Sequence, residues 1–147
     1  MILTDVNVLI YAFREDAAFH EKYKHWLGNT LTGTGLFGIS DVVLSAVIRI
    51  TTHPKIFARP STLPEVVKFT SFLLQHPNSI RVSPGEKHWD IFVKLCRESE
   101  AKGNIVTDAY LAALAIESGA EWITTDRDFA RFPGLKWRHP LVPLETS

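Results

Sequence analysis

Short apolar runs, each leading into a longer helical pattern, are the feature that most restricts how this chain can fold. The runs are "ILTD" (2–5), "LFGIS" (36–40), "NSIRVS" (78–83) and "EWITT" (121–125), with a last one, "LKWRH" (135–139). Their β-branched and aromatic content and their short length mark them as strands. A strand, a helix and a further strand pack as a right-handed βαβ unit, which makes the strands parallel and covers the sheet on both faces. The fold class expected is α/β, with a mostly parallel central sheet of four to five strands.

The segments between the strands predict the covering layers. A helix is expected from near Asn7, continued by "DAAFHEKYKHWLGNTL", in which Ala18, Tyr23, Trp26, Leu27 and Leu31 roughly follow the 3.6-residue period. "DVVLSAVIRIT" is apolar nearly all round and reads as a buried helix, with Asp41 as its N-cap. Three prolines make "THPKIFARPSTLPE" a loop, and Ser61 or Thr62 caps the helix that follows. "GEKHWDIFVKLCRESEAKG" predicts an amphipathic helix ending near Gly103. "TDAYLAALAIESG" predicts one capped by Thr107 or Asp108 and stopped at Gly119, and "DRDFARF" a short helix.

Length and charge bound the rest. With 147 residues and no repeat or linker, one domain over residues 1–147 is expected, the order of its tail from about 141 being left open. No apolar run approaches the roughly 20 residues of a membrane span, and no leader pattern precedes "MILTDV". With a single cysteine, Cys96, an internal disulfide is excluded and a cytoplasmic location is expected. The 16 basic residues balance the 16 acidic ones, which excludes nucleic-acid binding through bulk positive charge alone. A local basic rim around an acidic pocket stays open.

Two of the strands end on acid: Asp5 after the first, Asp126 and Asp128 after the fourth. In an open parallel sheet the ligand crevice lies outside the carboxyl ends of the strands, so both acids are expected at it. Asp108 shares a helical stripe with Leu111, Ala112 and Ala115, at the rim of buried surface. Each acid alone reads equally well as a helix cap or a turn residue. Together they would repel one another unless protonated or paired with cations. Basic side chains are one partner; Mg2+ or Mn2+, which favour oxygen ligands, suit clustered carboxylates especially well. Such a site serves phosphoryl transfer through a metal-bound water and needs no nucleophilic side chain.

Three stretches, "LTDVNVLIYAF", "VIRITTHPKIF" and "GNIVTDAYLAALAIESGAEWITTDRDFARFPGLKW", together resemble a PIN-domain protein of the VapC type, the toxin ribonuclease of a toxin–antitoxin pair. The resemblance spans essentially the whole chain in order. It implies a three-layer α/β/α sandwich and RNA cleavage dependent on Mg2+ or Mn2+. It implies that Asp5, Asp108 and Asp126 are the catalytic, metal-binding acids, with Asp128 accessory. Thr4, Asn7 and Thr125 then stand behind them, orienting carboxylates or water. A VapB-type antitoxin, an RNA substrate and a homodimer are the implied partners.

One departure stands out. The family commonly carries a glutamate in a pattern like "L-x-E-x-x-R" after the second strand; here "LSAVIRI" has Ala46 in its place and keeps Arg49. Arg49, on an apolar helix, is the best candidate for a phosphate contact. Asp41, five residues before Ala46 and off its face, is a weaker candidate ligand. A PIN fold with weak or lost nuclease activity, acting as an RNA-binding module, is therefore an alternative. A phosphatase forming an aspartyl-phosphate on Asp5 is another, although Asn7 stands where that pattern needs a second aspartate. The six histidines and Cys96 show no metal or catalytic spacing. The tryptophans read as core or interface; Arg14, Lys22, Lys24 and Arg59 could line an RNA groove, but each singly reads as a solvated charge.

Overall fold

Each strand of the sheet is only two or three residues long, and the first two pass into a helix after a single residue. The computed structural model describes residues 1–142; the remainder of the tail expectation lies outside them. The strands are β1 (Ile2–Thr4), β2 (Phe37–Ile39), β3 (Ser79–Arg81), β4 (Glu121–Ile123) and β5 (Trp137–Arg138). The helices are α1 (Val6–Phe13), α2 (His20–Thr32), α3 (Asp41–Thr51), α4 (Leu63–Gln75), α5 (His88–Ser99) and α6 (Asn104–Ser118), with a 3-10 turn at Arg127–Arg131.

All pairings are parallel, in the order β3-β2-β1-β4-β5. α1 packs on α2 and α3, and α3 on α4, while α5 packs on α6. Right-handed crossovers place these two groups on opposite faces, giving the expected three layers. The chain moves outward from β1 through β2 to β3, then crosses back to β4 on the other side of β1. The topological switch point therefore lies between β1 and β4, where a crevice opens at the strand ends.

Leu3, Phe37, Ile39, Trp122 and Ile123 bring the sheet into the core, against Val8, Leu9, Val43, Val47, Val66 and Leu73. On the opposite side α6 presents Ala109, Ala112, Ala113 and Ala115, all fully buried, so small residues let this helix lie close to the sheet. Gly38 in β2 is required by crowding: a Cβ there would stand 2.7 Å from the Ile2 carbonyl oxygen.

Several expected boundaries are corrected. The first helical segment is two helices, because the chain turns at residues 14–19 and leaves Ala18 outside both. Arg14 makes that turn. It is 8% exposed, grips Asp16 with two hydrogen bonds (2.8 and 2.6 Å), and donates to Ser61 Oγ (3.0 Å) and the Arg59 carbonyl (2.9 Å). Its guanidinium lies 3.7 Å from the centre of the Phe57 ring. Arg14 is thus no solvated charge but a clamp between the first turn and the proline-rich loop.

α3 is not buried all round; Val43, Leu44, Val47 and Thr51 face inward while Val42, Ser45 and Arg49 are exposed. Ser40, not Asp41, holds its N-cap position, and Asp41 instead accepts from Arg81 at 2.6 and 2.8 Å. α5 ends on Glu100 in a left-handed conformation, and Gly103 opens α6 rather than closing α5. α6 starts at Asn104, so neither Thr107 nor Asp108 caps it. Thr62 caps α4 in a capping box with Glu65, and Gly119 (φ 73°) terminates α6, both as expected. Of the histidines, His20 and His88 are buried and bonded to the Tyr11 and Tyr110 carbonyls. Trp122 is core, whereas Trp89 is 65% exposed.

The fork geometry at Arg14 cannot be reproduced by an ammonium group. Arg14→Lys is expected to cost about 2 kcal/mol, close to Arg14→Ala, because charge-assisted hydrogen bonds and stacking are both lost. Urea unfolding measures this; a lysine variant as stable as the parent would refute the clamp.

Candidate active site

The site starts from the pairing of β1 with β4. The Asp5 N–H donates to the Ile123 carbonyl (2.8 Å), which carries the strand register one step past β1 and sets Asp5 beside Thr124. Asp5 is the N-cap of α1: one carboxylate oxygen accepts from the Val6 N–H (2.7 Å), the other from the Thr124 hydroxyl (2.6 Å). The same hydroxyl oxygen accepts from the Asp126 N–H (3.0 Å). Asp126 Oδ1 in turn accepts from the Asp128 N–H (2.9 Å), capping the 3-10 turn. One buried hydroxyl therefore joins the ends of two strands.

Asp108 comes to this place from the other layer. It sits in the second turn of α6, half-buried, and its side chain carries no hydrogen bond or ion pair among the described residues. Burial pushes its carboxyl up to about 6, and the charges of Asp5, Asp126 and Asp128 act in the same direction, with Arg131 opposing them. Burial also raises Asp5, against the hydrogen bonds from Thr124 and Val6, and Asp126 adds to the rise. The structure thus brings Asp5, Asp108, Asp126 and Asp128 into one electrostatic cluster at the switch point.

The remaining candidates lie around it. Thr4 is buried at the end of β1, Asn7 is exposed in the first turn of α1, and Thr125 is half-buried. Among the described residues none of these three hydrogen-bonds a carboxylate of the cluster; Thr124 does. Asp128 is exposed and 3.6 Å from Arg131, whose Nε also donates to the Asp128 carbonyl (2.9 Å). Arg49 is exposed in the last turn of α3. Ala46 is half-buried, and no charge from α3 is among those acting on Asp108. Asp41 is held by Arg81.

Sequence reasoning missed Thr124 and Arg131. "TTD" offers two adjacent threonines, and only the β1–β4 register says which one meets Asp5. Arg131 follows Asp128 at the i+3 position, a spacing that would have pointed to the pairing.

These residues fit a hard divalent cation. Every donor is an oxygen, the Asp5 oxygens keep lone pairs beyond their one hydrogen bond each, and Asp108 lacks any compensating partner among the described residues. Among the described residues no three acidic, histidine or cysteine side chains stand close enough together to hold a metal ion by themselves.

An open parallel sheet with acids gathered at its switch point defines a class of α/β domain, and comparison with known proteins makes the class specific. The PIN domain profile matches residues 2–135. Ribonuclease VapC43 of Mycobacterium tuberculosis is 40% identical over 141 residues, covering 96% of each chain. Ribonuclease VapC25 of the same organism is 34% identical over 142 residues, covering 97% of this chain and 100% of that protein. The toxin–antitoxin complex VapBC2 of Rickettsia felis, bound to a promoter DNA fragment, superposes with a TM-score of 0.69 at 21% identity, covering 95% of this chain and 98% of that one. VapC20 of M. tuberculosis, a toxin that cleaves the sarcin-ricin loop, does so with a TM-score of 0.63 at 16% identity, covering 92% and 99%. The chain belongs to the PIN-domain family, among its VapC-type members.

The raised Asp108 carboxyl has a stability consequence for metal-free protein. Between about pH 4, where an unfolded aspartate titrates, and about pH 6, the folded state holds the proton more tightly, so stability falls as pH rises through that window. Asp108→Asn removes this term. In chelator its melting temperature should exceed that of the parent at pH 7, with the gap shrinking toward pH 4.5. A gap independent of pH would contradict the reading.

Proposed function

We propose that this protein is the toxin of a type II toxin–antitoxin pair and acts as a divalent-metal-dependent endoribonuclease. The observation that carries the proposal is the convergence of acids from β1, α6 and the end of β4 on the switch point, with Asp108 unpaired there among the described residues. VapC ribonucleases at 34–40% identity over nearly the whole chain support it.

In this reading Asp5, Asp108 and Asp126 hold Mg2+ or Mn2+, with Asp128 accessory. Bound there, the ion supplies an activated water and offsets charge on the scissile phosphodiester. Thr124 and the Val6 N–H fix both oxygens of Asp5, so its carboxylate is oriented before substrate arrives. Thr4, Asn7 and Thr125 flank the acids and position water. Arg49 meets a backbone phosphate. The surface partner is a VapB-type antitoxin, and the exposed Leu63, Val67 and Phe72 on α4 are apolar surface of the kind a partner helix covers. The chain pairs as a homodimer. No helix among the described residues is long and apolar enough to cross a membrane, and the protein acts in the cytoplasm.

A second reading rests on Ala46. Because α3 supplies no acid to the cluster, a PIN fold with weak metal affinity and residual RNA binding is the alternative. Calorimetry with Mn2+ separates the two, since absence of binding up to millimolar metal favours the second.

Purified protein with Mg2+ or Mn2+ is expected to cleave RNA, and Asp5→Ala or Asp108→Ala to reduce cleavage to background. Full cleavage by Asp5→Ala protein would overturn the proposal. Thr124→Val keeps the shape of the side chain but removes the bridging hydroxyl. It should lower activity or metal affinity by roughly 10- to 100-fold, the usual effect of removing a group that orients a ligand. Equal activity would show that the bridge is not used.

A further inference from the structure

A groove of about 670 Å3 runs between the start of α2 and the segment after β5. Phe19, Lys22, Tyr23 and Trp26 wall it on one side, His139 and Leu141 on the other, and among the described residues no carboxylate lines it. Phe19 is the unusual member. It is 66% exposed and held in the left-handed region at φ 59°, ψ 25°, which bulky residues seldom enter. Such a conformation persists only where the surroundings enforce it, and at functional sites it commonly serves to aim a side chain. Here it sets an aromatic ring at the surface with the Lys22 ammonium 5.4 Å from the ring centre.

His139 on the groove's wall follows β5, the neighbour of β4 in the sheet. The Thr124 N–H donates to the Arg138 carbonyl (3.1 Å), so the chain leaves β5 toward His139 beside the strand end that carries Asp126. Arg127, the residue after Asp126, lies close enough to His139 to help burial hold that imidazole below its usual range. Arg127 adjoins Asp126 in the chain and His139 lines the groove with Phe19 and Lys22, so the residues change from acidic to basic and aromatic away from the carboxylates. An anionic strand that spans both ends needs this charge order: cation-mediated contact at the acids, direct contact beyond them.

We propose that the groove receives an unpaired nucleobase of a single-stranded RNA running through the acidic site, stacked on Phe19 with Lys22 at the adjoining phosphate. Trp26 and Tyr23 form the apolar wall behind the base, and His139 faces its edge. Stacking of this kind accepts any base, because each has a π-face, so the groove contributes grip and register rather than sequence choice. The proposal rests on the ribonuclease reading above, since the strand it holds is the substrate of that site.

The test is binding of a labelled single-stranded RNA of about 12 nucleotides, a length of the order such grooves span, in chelator so that no cleavage occurs. Phe19→Asn removes the ring while accommodating the left-handed backbone, and is therefore expected to fold. It should weaken binding by about tenfold, within the range for losing one stacked base, as should Lys22→Ala, whose deficit shrinks at high salt. Phe19→Trp should bind like the parent. Thermal melts of all three are expected to match the parent, which separates loss of contact from loss of fold. Undiminished binding by Phe19→Asn overturns the proposal, whether or not the parent cleaves RNA, as does an absence of RNA binding by the parent. A drop in oligomeric mass on Phe19→Asn, read by light scattering, also overturns it by assigning the groove to a second copy of the chain. Phe19-dependent binding without metal-dependent cleavage supports the groove and refutes the nuclease reading instead.

Discussion

The Thr124 hydroxyl, and the parallel pairing of β1 with β4 that delivers it, hold the acidic site together. Asp5 and Thr124 are 119 positions apart in the chain, yet their side chains meet at 2.6 Å inside the protein. The same oxygen takes the Asp126 N–H, so neither strand end can shift without disturbing the other. A buried carboxylate is costly unless hydrogen-bonded, and here the bonds that lower the cost come from the backbone and side chain at the strand ends. The fold and the site are therefore stabilised by the same few contacts.

Clustering carboxylates works against folding. Asp5 and Asp108 both have their carboxyls pushed up, chiefly by burial and then by neighbouring acids, Asp126 acting on Asp5 and both Asp5 and Asp126 on Asp108. The fold sustains this because the layer beneath is well packed: the alanine face of α6 lies close on the sheet and carries Asp108 to the edge of the cluster. A cation would turn that repulsion into attraction, so the local rule broken at this site is one that a bound ion would mend. The basic and aromatic groove beside it meets the opposite need, a surface that an anionic strand can touch directly.

Legibility in the sequence followed the range of the interactions. The strands, the order of elements, a cap at Ser61 or Thr62 and the glycine stop at Gly119 depend on neighbours within a few residues, and all were readable. The break between α1 and α2 was not, because its cause is Arg14 reaching Ser61 and Arg59, 47 and 45 positions away. Asp41 read as an N-cap for a similar reason; its partner Arg81 is 40 positions on and adjacent only because β3 pairs with β2. The start of α6 was placed late because Asp108 looked like a cap, when the glycine before Asn104 already opens the helix.

At the site the division has the same origin. That Asp5 and Asp126 end strands and that Asp108 rides an apolar helical stripe are properties of local pattern, and the βαβ order alone directs the first two to one sheet edge. Which threonine bridges them, whether Arg131 shields them, and that Phe19 stands outward beside Lys22 depend on strand register and on backbone angles fixed by distant packing. The sequence by itself determined which acids could share a crevice, because periodicity and connection handedness act along the chain. Only the tertiary structure decided how they are held, because hydrogen bonds of under 3 Å depend on positions that no local pattern specifies.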